Sequence, residues 1–286
     1  MPGRQNPTLR QRRLGAELRK MREQAGLGGS QLARTLGVSP AQVTQLENGK
    51  TSVSADRLRT ITAACEADND PLIDALNGII STRGKGWWEK YRNRLPDTLL
   101  ASAEHEDFAT GVIRSWTSAI IPGPLQTEDY VRGVFNRQIP PLPADELDLR
   151  IEFRSERRRK VLQHPRKTLE AFVHESSLVT RFGGTDVLRN QLLSLIDDSL
   201  REDVSIRVVP FAAHTYPGPI ENLVYSFGEV PELDTVEVEL SQGPAFVDDP
   251  SELVSYRKVF GRIERAALND EDSQDLIRQT VEKLKG

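Results

Sequence analysis

Gln42, Thr44 and Gln45 place hydrogen-bonding side chains between the apolar residues Val43 and Leu46, in the stretch SQLARTLGVSPAQVTQLENGK that spans residues 30–50. Ala41 adds a methyl group beside them. On a helix, the apolar pair at i, i+3 turns inward and the short or polar residues between turn outward. A helix of that kind can enter a DNA major groove and offer its side chains to base edges. Pro40 offers no backbone donor and Ala41 only a methyl contact, so direct readout is expected to be thin, with DNA shape contributing.

The elements that must hold these residues are legible. Ser30 is expected to cap a first helix with Leu32, Ala33 and Leu36 on its apolar face. Gly37 supplies the positive φ of a tight turn. Ser39 caps the second helix, and Pro40 follows where its missing N–H costs nothing. Gly49 ends that helix. Around this pair, helices are predicted near 10–25, after Ser54, and from Asp70-Pro71 onward. The last carries Leu72, Ile73, Leu76, Ile79 and Ile80, more apolar residues than a small module must bury, which suggests a dimer seam or, as the alternative, packing on the second domain. This is an all-α five-helix module over residues 1–80. STRGKG, 81–86, reads as a linker.

Residues 87–286 mix strands and helices without strict alternation, an α+β domain with a sheet of four to five strands. Helices are predicted at 88–95, 97–115, 128–135, 144–163, 185–200, 250–267 and 272–284. Strands are predicted at 115–121, 168–176, 205–211, 221–228 and 235–240.

Other candidate chemistry is sparse. His105, His164, His174 and His214 lie in no metal-ligand spacing, and Glu104-His105-Glu106-Asp107 points around a helix axis rather than converging. No GxSxG, HExxH or phosphate-loop pattern occurs. Gly183-Gly184 before a helix is read as a turn. Arg154 to Lys160, with four basic residues beyond Arg154 itself, offers a phosphate or acidic-partner site. It is read here as a solvated helix face with a Glu156–Lys160 pair. No catalytic residue, metal or cofactor is assigned. All three tryptophans, Trp87, Trp88 and Trp116, lie within 30 residues of one another, and Tyr130 follows the Pro122-Gly123-Pro124 turn. Such a cluster builds a core or lines a pocket. Trp88, Trp116 and Tyr130 are taken as one wall of a ligand or partner site.

Charge divides the chain. Residues 1–60 hold eleven Lys and Arg against four acids, a net +7, which leaves −11 for the remainder of a chain whose total is −4. A basic head on an acidic body suits a nucleic-acid reader whose second domain serves another purpose. The lone Cys65 allows no internal disulfide, which fits a reducing compartment. No stretch approaches the roughly 18 apolar residues of a membrane span. MPGRQNPTLRQRR has no apolar segment after its charges, so it reads as a basic arm rather than a secretory leader.

Residues 14–65, and VTQLENGK above all, resemble the helix-turn-helix family of the phage Cro and cI repressors, the XRE family. The resemblance implies that Gln31, Asn48 and Lys50 touch phosphates and that Gln42 and Gln45 face the groove, Gln45 on a base. Ser39, Pro40, Ala41 and Thr44 complete the implied interface. Residues 86–135, with HESSLVTRFGG and SIRVVPF, resemble the regulatory domain that follows this motif in many actinobacterial regulators. IPGPLQTEDYV, 121–131, fits apart from Pro124, where a leucine is usual. That domain has no established chemistry.

The expectation is therefore a cytoplasmic, nucleoid-associated transcriptional regulator that binds double-stranded DNA as a homodimer. Its second domain would sense a small molecule or, as the resemblance implies, a small acidic partner protein. Two alternatives remain at this stage. One is a tethered enzyme acting on a nucleotide or other small molecule through His174 with Glu175, or Tyr216 with Glu221. The other is an architectural DNA binder without a signal.

Overall fold

The computed structural model describes residues 7–81 and 86–284. The start of the basic arm (1–6) and the body of the expected linker (82–85) lie outside the described residues. The chain divides into two compact units. One comprises Met1–Trp87 with Glu229–Leu233, the other Trp88–Gly228 with Asp234–Gly286.

The first unit is helical: α1 (Leu9–Gln24), α2 (Gly29–Leu36), α3 (Pro40–Glu47), α4 (Ala55–Ala64) and α5 (Asp70–Ser81). Leu14, Leu18, Met21, Leu32, Ala33, Val43, Leu46, Leu58, Ile61, Leu72 and Leu76 are its buried residues at the expected helical spacing. One cap differs from expectation. Ser30 lies inside α2, whose N-cap is Gly28. Gln31 reaches back to accept the Gly28 N–H at 2.6 Å, and so satisfies the donor that a Ser30 cap would have left to another residue. Two glycines let α1 meet the end of α3. A Cβ on Gly15 would fall 2.5 Å from the Glu47 carbonyl, and one on Gly49 2.6 Å from the Gln11 backbone. Gly49 also holds φ +68°, so two constraints select glycine there.

The second unit is built on a six-stranded sheet in the order β3-β2-β1-β4-β5-β6. These are β1 (Val112–Thr117), β2 (Thr168–His174), β3 (Val204–Val209), β4 (Asn222–Ser226), β5 (Thr235–Leu240) and β6 (Gly243–Val247). The β3-β2-β1 half is parallel and the β1-β4-β5-β6 half antiparallel. Its helices are α6 (Asp97–Phe108), α7 (Glu128–Phe135), α8 (Ala144–Leu162), α9 (Thr185–Ser199), α10 (Pro250–Ala266) and α11 (Asp270–Lys283). Strand alternation sends Leu169, Ala171, Val173, Ile206 and Val208 into one core with α9 and α11. The opposite face carries Trp116, Phe172, Tyr225 and Val236 against Leu253, Phe260 and Ile263 of α10.

The sheet departs from expectation in three places. The helix expected over 97–115 stops at Phe108, because Val112 begins a strand paired with β2 and β4. The helix expected over 88–95 shrinks to a 3₁₀ turn, Trp87–Tyr91. In it the Tyr91 hydroxyl donates to Glu152 at 2.9 Å and Glu156 at 2.7 Å. Those carboxylates and burial push its phenol up from the ordinary range, burial most. The sixth strand, GPAFV, hides behind a glycine and a proline. It is an edge strand, the one sheet position that tolerates proline.

Trp116 is fully buried. Its Nε1–H donates to the Pro219 carbonyl at 2.9 Å, and a Cβ on Gly218 would fall 2.8 Å from its ring. Trp116→Ala is therefore expected to lower stability by about 3–5 kcal/mol, read as a shifted urea midpoint at unchanged slope.

Candidate functional site

In the first unit, α2 and α3 are joined by a turn centred on Gly37 at φ +63°. Gly37 N–H donates to the Arg34 carbonyl and Val38 N–H to that of Ala33, which closes α2. The entry to α3 is a reciprocal cap. Gln42 N–H donates to Ser39 Oγ at 3.3 Å, and Ser39 N–H donates to Gln42 Oε1 at 2.9 Å. Ala41, Thr44, Gln45 and Asn48 share one helical face by their i, i+3, i+4, i+7 spacing. Ala41 and Thr44 are exposed on it, and Gln45 and Asn48 are partly so. Val43, Leu46 and Glu47 occupy the buried side.

These bonds rank the polar residues. Gln31 and Gln42 each have the carboxamide oxygen committed to a cap, so only their NH₂ groups remain to donate outward. Thr44 donates its hydroxyl to the Pro40 carbonyl at 3.2 Å. Asn48 Oδ1 accepts from Arg19 at 3.0 Å. Gln45 makes no side-chain hydrogen bond among the described residues, so both ends of its amide are available. Lys50 is exposed just past the helix, where its N–H closes α3 on the Gln45 carbonyl at 2.8 Å.

The residue that seats this helix was not singled out by its sequence. Glu47 is buried and accepts from Arg22 Nε at 2.6 Å and Nη2 at 3.1 Å, and from Arg19 at 3.3 Å. Its carboxylate holds the Arg22 guanidinium above its ordinary range. Nothing about an isolated Glu beside Asn-Gly marks it as buried.

In the second unit, a cavity of about 430 Å³ opens between the sheet, α6, α8 and the 120–126 turn. Ile113, Ser115 and Thr117 of β1 line it on alternate positions. Arg150, Arg154 and Arg157 line it from one stripe of α8. Arg157 is buried and donates to Glu106 of α6 through Nε and Nη2, both at 2.6 Å. Burial opposes its charge, but the Glu106 carboxylate, helped by Glu237 and Glu239, holds the guanidinium well above its usual range. Glu237 is buried on β5 and accepts from Ser102 Oγ at 2.5 Å, with His105 Nδ1 at 3.2 Å. Burial disfavours the ionised form, yet the contacts with His105 and Ser102 and the charge of Arg157 bring its carboxyl below the ordinary range.

The turn that walls the cavity is held from behind. Gln126 Nε2 donates to the Ile121 carbonyl at 2.7 Å, and Gln191 Nε2 to that of Leu125 at 2.8 Å. Ile121 N–H donates to the Tyr130 hydroxyl at 3.3 Å. Burial pushes the Tyr130 phenol up to about 12.

A family model described as a domain of unknown function, DUF5753, matches residues 100–279, and one described as a helix-turn-helix domain matches residues 13–76. The chain belongs to the DUF5753 family. Among curated proteins and solved structures, nothing matches it. The cavity lies almost wholly within the DUF5753 segment, and α1 to α5 carry the helix-turn-helix match.

Trp88, Trp116 and Tyr130 do not form the wall expected of them. All three are buried, and none lines the cavity. Trp116 falls on the opposite sheet face from Ser115 and Thr117, because neighbouring strand residues alternate. Tyr130 acts instead as a positioning residue for the turn. The solvated reading of the 154–160 run also changes. Glu156 pairs with Lys90 at 2.5 Å, and Arg157 and Arg154 face inward. The signal lay in Arg157, four residues from both Phe153 and Val161 on the core stripe of α8. Among the described residues neither pair weighed for catalysis, His174 with Glu175 or Tyr216 with Glu221, is joined by a hydrogen bond, although the His174 and Tyr216 rings pack edge to face with centroids 5.3 Å apart. His174 Nδ1 accepts from Ser176 N–H at 3.3 Å, and Glu175 accepts the Phe211 N–H at 2.7 Å. Among the described residues no group of three or more His, Cys, Asp or Glu gathers to hold a metal, and no helix is long and apolar enough to cross a membrane.

Two tests follow from this geometry. Glu47→Ala leaves Arg22 half-buried without its carboxylate and is expected to cost about 3–5 kcal/mol, measured by urea unfolding followed by helical signal. Glu237 should shape the acid limb of stability. An ordinary glutamate in the unfolded chain titrates near about 4.3, above the lowered folded value. Its stabilisation is then fully present above that pH and is lost as pH falls toward the folded value. Glu237→Gln should flatten stability against pH below roughly pH 4, seen in melts across that range.

Proposed function

We propose that this chain is a sequence-specific, double-stranded-DNA-binding transcriptional regulator of the Cro/cI kind, with a DUF5753 domain that senses a signal and performs no catalysis. The observation that carries the reading is α3. Its buried side is pinned by Val43, Leu46 and Glu47, while Ala41, Thr44 and Gln45 look outward with the Gln45 amide unspent. The helix-turn-helix match and the +7 charge of residues 1–60 support it. Ile73, Ile79 and Ile80 stay half-buried on α5 and support a homodimer reading two half-sites roughly 34–36 Å apart. The 430 Å³ cavity supports a small-molecule signal over a partner protein. A cytoplasmic, nucleoid-bound protein of actinobacterial type follows from the same reading.

The operator is to be selected from random duplexes with the full chain. Gln45→Ala should then lose about 1–3 kcal/mol on the selected site and little on random DNA. Equal loss on both would remove the base-reading role. Lys50→Ala should weaken binding to every sequence and lower the slope of log K against log salt by about one. An unchanged slope would take Lys50 out of the interface.

A further inference from the structure

We infer that the DUF5753 cavity binds a small organic anion, a carboxylate or phosphate head on an apolar body, with the head held by Arg154. This deepens the sensor reading by naming the ligand class.

Of the four arginines that line the cavity, Arg157 is spent on Glu106 and Arg150 on Glu146, at 2.5 Å. Arg137 is exposed. Arg154 has no carboxylate partner among the described residues, and its Nε is shut from water without an acceptor. Burial first, then the charge of Arg157, brings its guanidinium down to about 10. The nearby acids oppose this through their charge, Glu239 most, but among the described residues none bonds to Arg154. Glu106 holds Arg157, Glu237 takes Ser102 and His105, and Glu239 accepts from Asn222 at 2.8 Å. Arg154 is half-buried, and its guanidinium lies 5.8 Å from the Phe135 ring. A partly desolvated cation without a carboxylate is costly, and a bound anion supplies the missing charge. Guanidinium presents paired N–H donors that match carboxylate and phosphate oxygens.

Three further observations shape the ligand. Ser115 and Thr117 line the cavity at 2% and 5% exposure, and among the described residues neither hydroxyl has a hydrogen-bond partner. Buried hydroxyls seldom stay unpaired, so they mark where a ligand polar group sits. Gly123 makes room for the cation: a Cβ there would fall 2.6 Å from Arg154 Nη1. Ile113, Ile121, Leu169 and Val224 supply apolar walls, and the volume suits a small organic molecule rather than a bare ion.

The test uses the full chain in calorimetric titrations and thermal melts. The probes are octanoate, octyl phosphate and benzoate, with octanamide, benzamide and octylamine as controls. At least one acid should bind saturably at one site, raise Tm, and bind about tenfold more tightly than its neutral or cationic counterpart. Octanoate against octyl phosphate separates the two head groups. Arg154→Met should erase the acid preference while the free protein melts at the same temperature or higher, since it removes a partly desolvated charge that has no carboxylate partner among the described residues. Arg157→Met, which strands Glu106, should melt lower. If Arg154→Met fails to fold, Thr117→Val provides the second readout, with acid binding expected to weaken about threefold. No acid preference for any probe, a preference that survives Arg154→Met, or unchanged binding in Thr117→Val would overturn the inference. Selected-operator binding is measured in the same samples. Acid binding that leaves DNA affinity unchanged keeps the anion site and removes the sensor reading. Intact DNA binding without acid preference removes the anion site alone.

Discussion

A charge taken out of water costs several kcal/mol unless an opposite charge and its hydrogen bonds accompany it, and both units are arranged around that constraint. In the helical unit, the Glu47 carboxylate is buried under α3 and gathers Arg22 and Arg19 from α1. The orientation of α3 thus rests on an ion pair as well as on Val43 and Leu46. In the second unit, Arg157 on α8 and Glu106 on α6 meet through two parallel hydrogen bonds. Arg158 binds Asp198 of α9 at 2.8 Å, and Arg257 of α10 binds Asp234 at 2.9 Å. Each pair ties one element to another, and each satisfies a charge that burial would otherwise expel. Arg154, half-buried beside Arg157, stands out because it has no carboxylate of its own among the described residues.

The two-residue period of a strand does the remaining sorting. On β1 it sends Trp116 to the α10 core and Ser115 with Thr117 to the cavity. On β5 it sends Val236 and Val238 to the same apolar face as Trp116, and Glu237 with Glu239 to the cavity side. Large rings therefore stabilise the sheet from behind while small hydroxyls and carboxylates shape the site in front. The 120–126 turn closes that site. Its rigidity comes from Gln126, Gln191 and Tyr130, which occupy backbone groups that a loop would otherwise leave to water.

Capping decides what the recognition helix has left to offer. Ser39 and Gln42 exchange bonds at the N-terminus of α3, and Gln31 does the same for α2. A glutamine serves the fold with its oxygen and retains its NH₂. Gln45, one turn further on, has no such duty. Two glutamines of the same type on the same helix thus differ in which amide groups they have left to donate or accept, for a reason found in the backbone around them.

The sequence alone determined whatever depends on residues close together along the chain. Gly37, Ser39, Pro40 and Gly49 mark the helix-turn-helix because caps and turns are local chemistry. The α+β character of the second unit was legible in its periodicities, as were helix boundaries such as 185–200 and 250–267, each within a residue or so. The start of β1 was not, because the 97–115 pattern is continuous in sequence and only pairing with β2 and β4 makes Val112 a strand. The edge strand β6 was hidden for a like reason. Tertiary structure also decided the site. Arg154 and Arg157 read as solvated charges and Trp116 as a wall, while Glu47 carried no signal at all, until distant elements settled which face each would meet. Burial of a charge or a ring is set by neighbours far off in sequence, and spacing along one helix or strand carries no record of them.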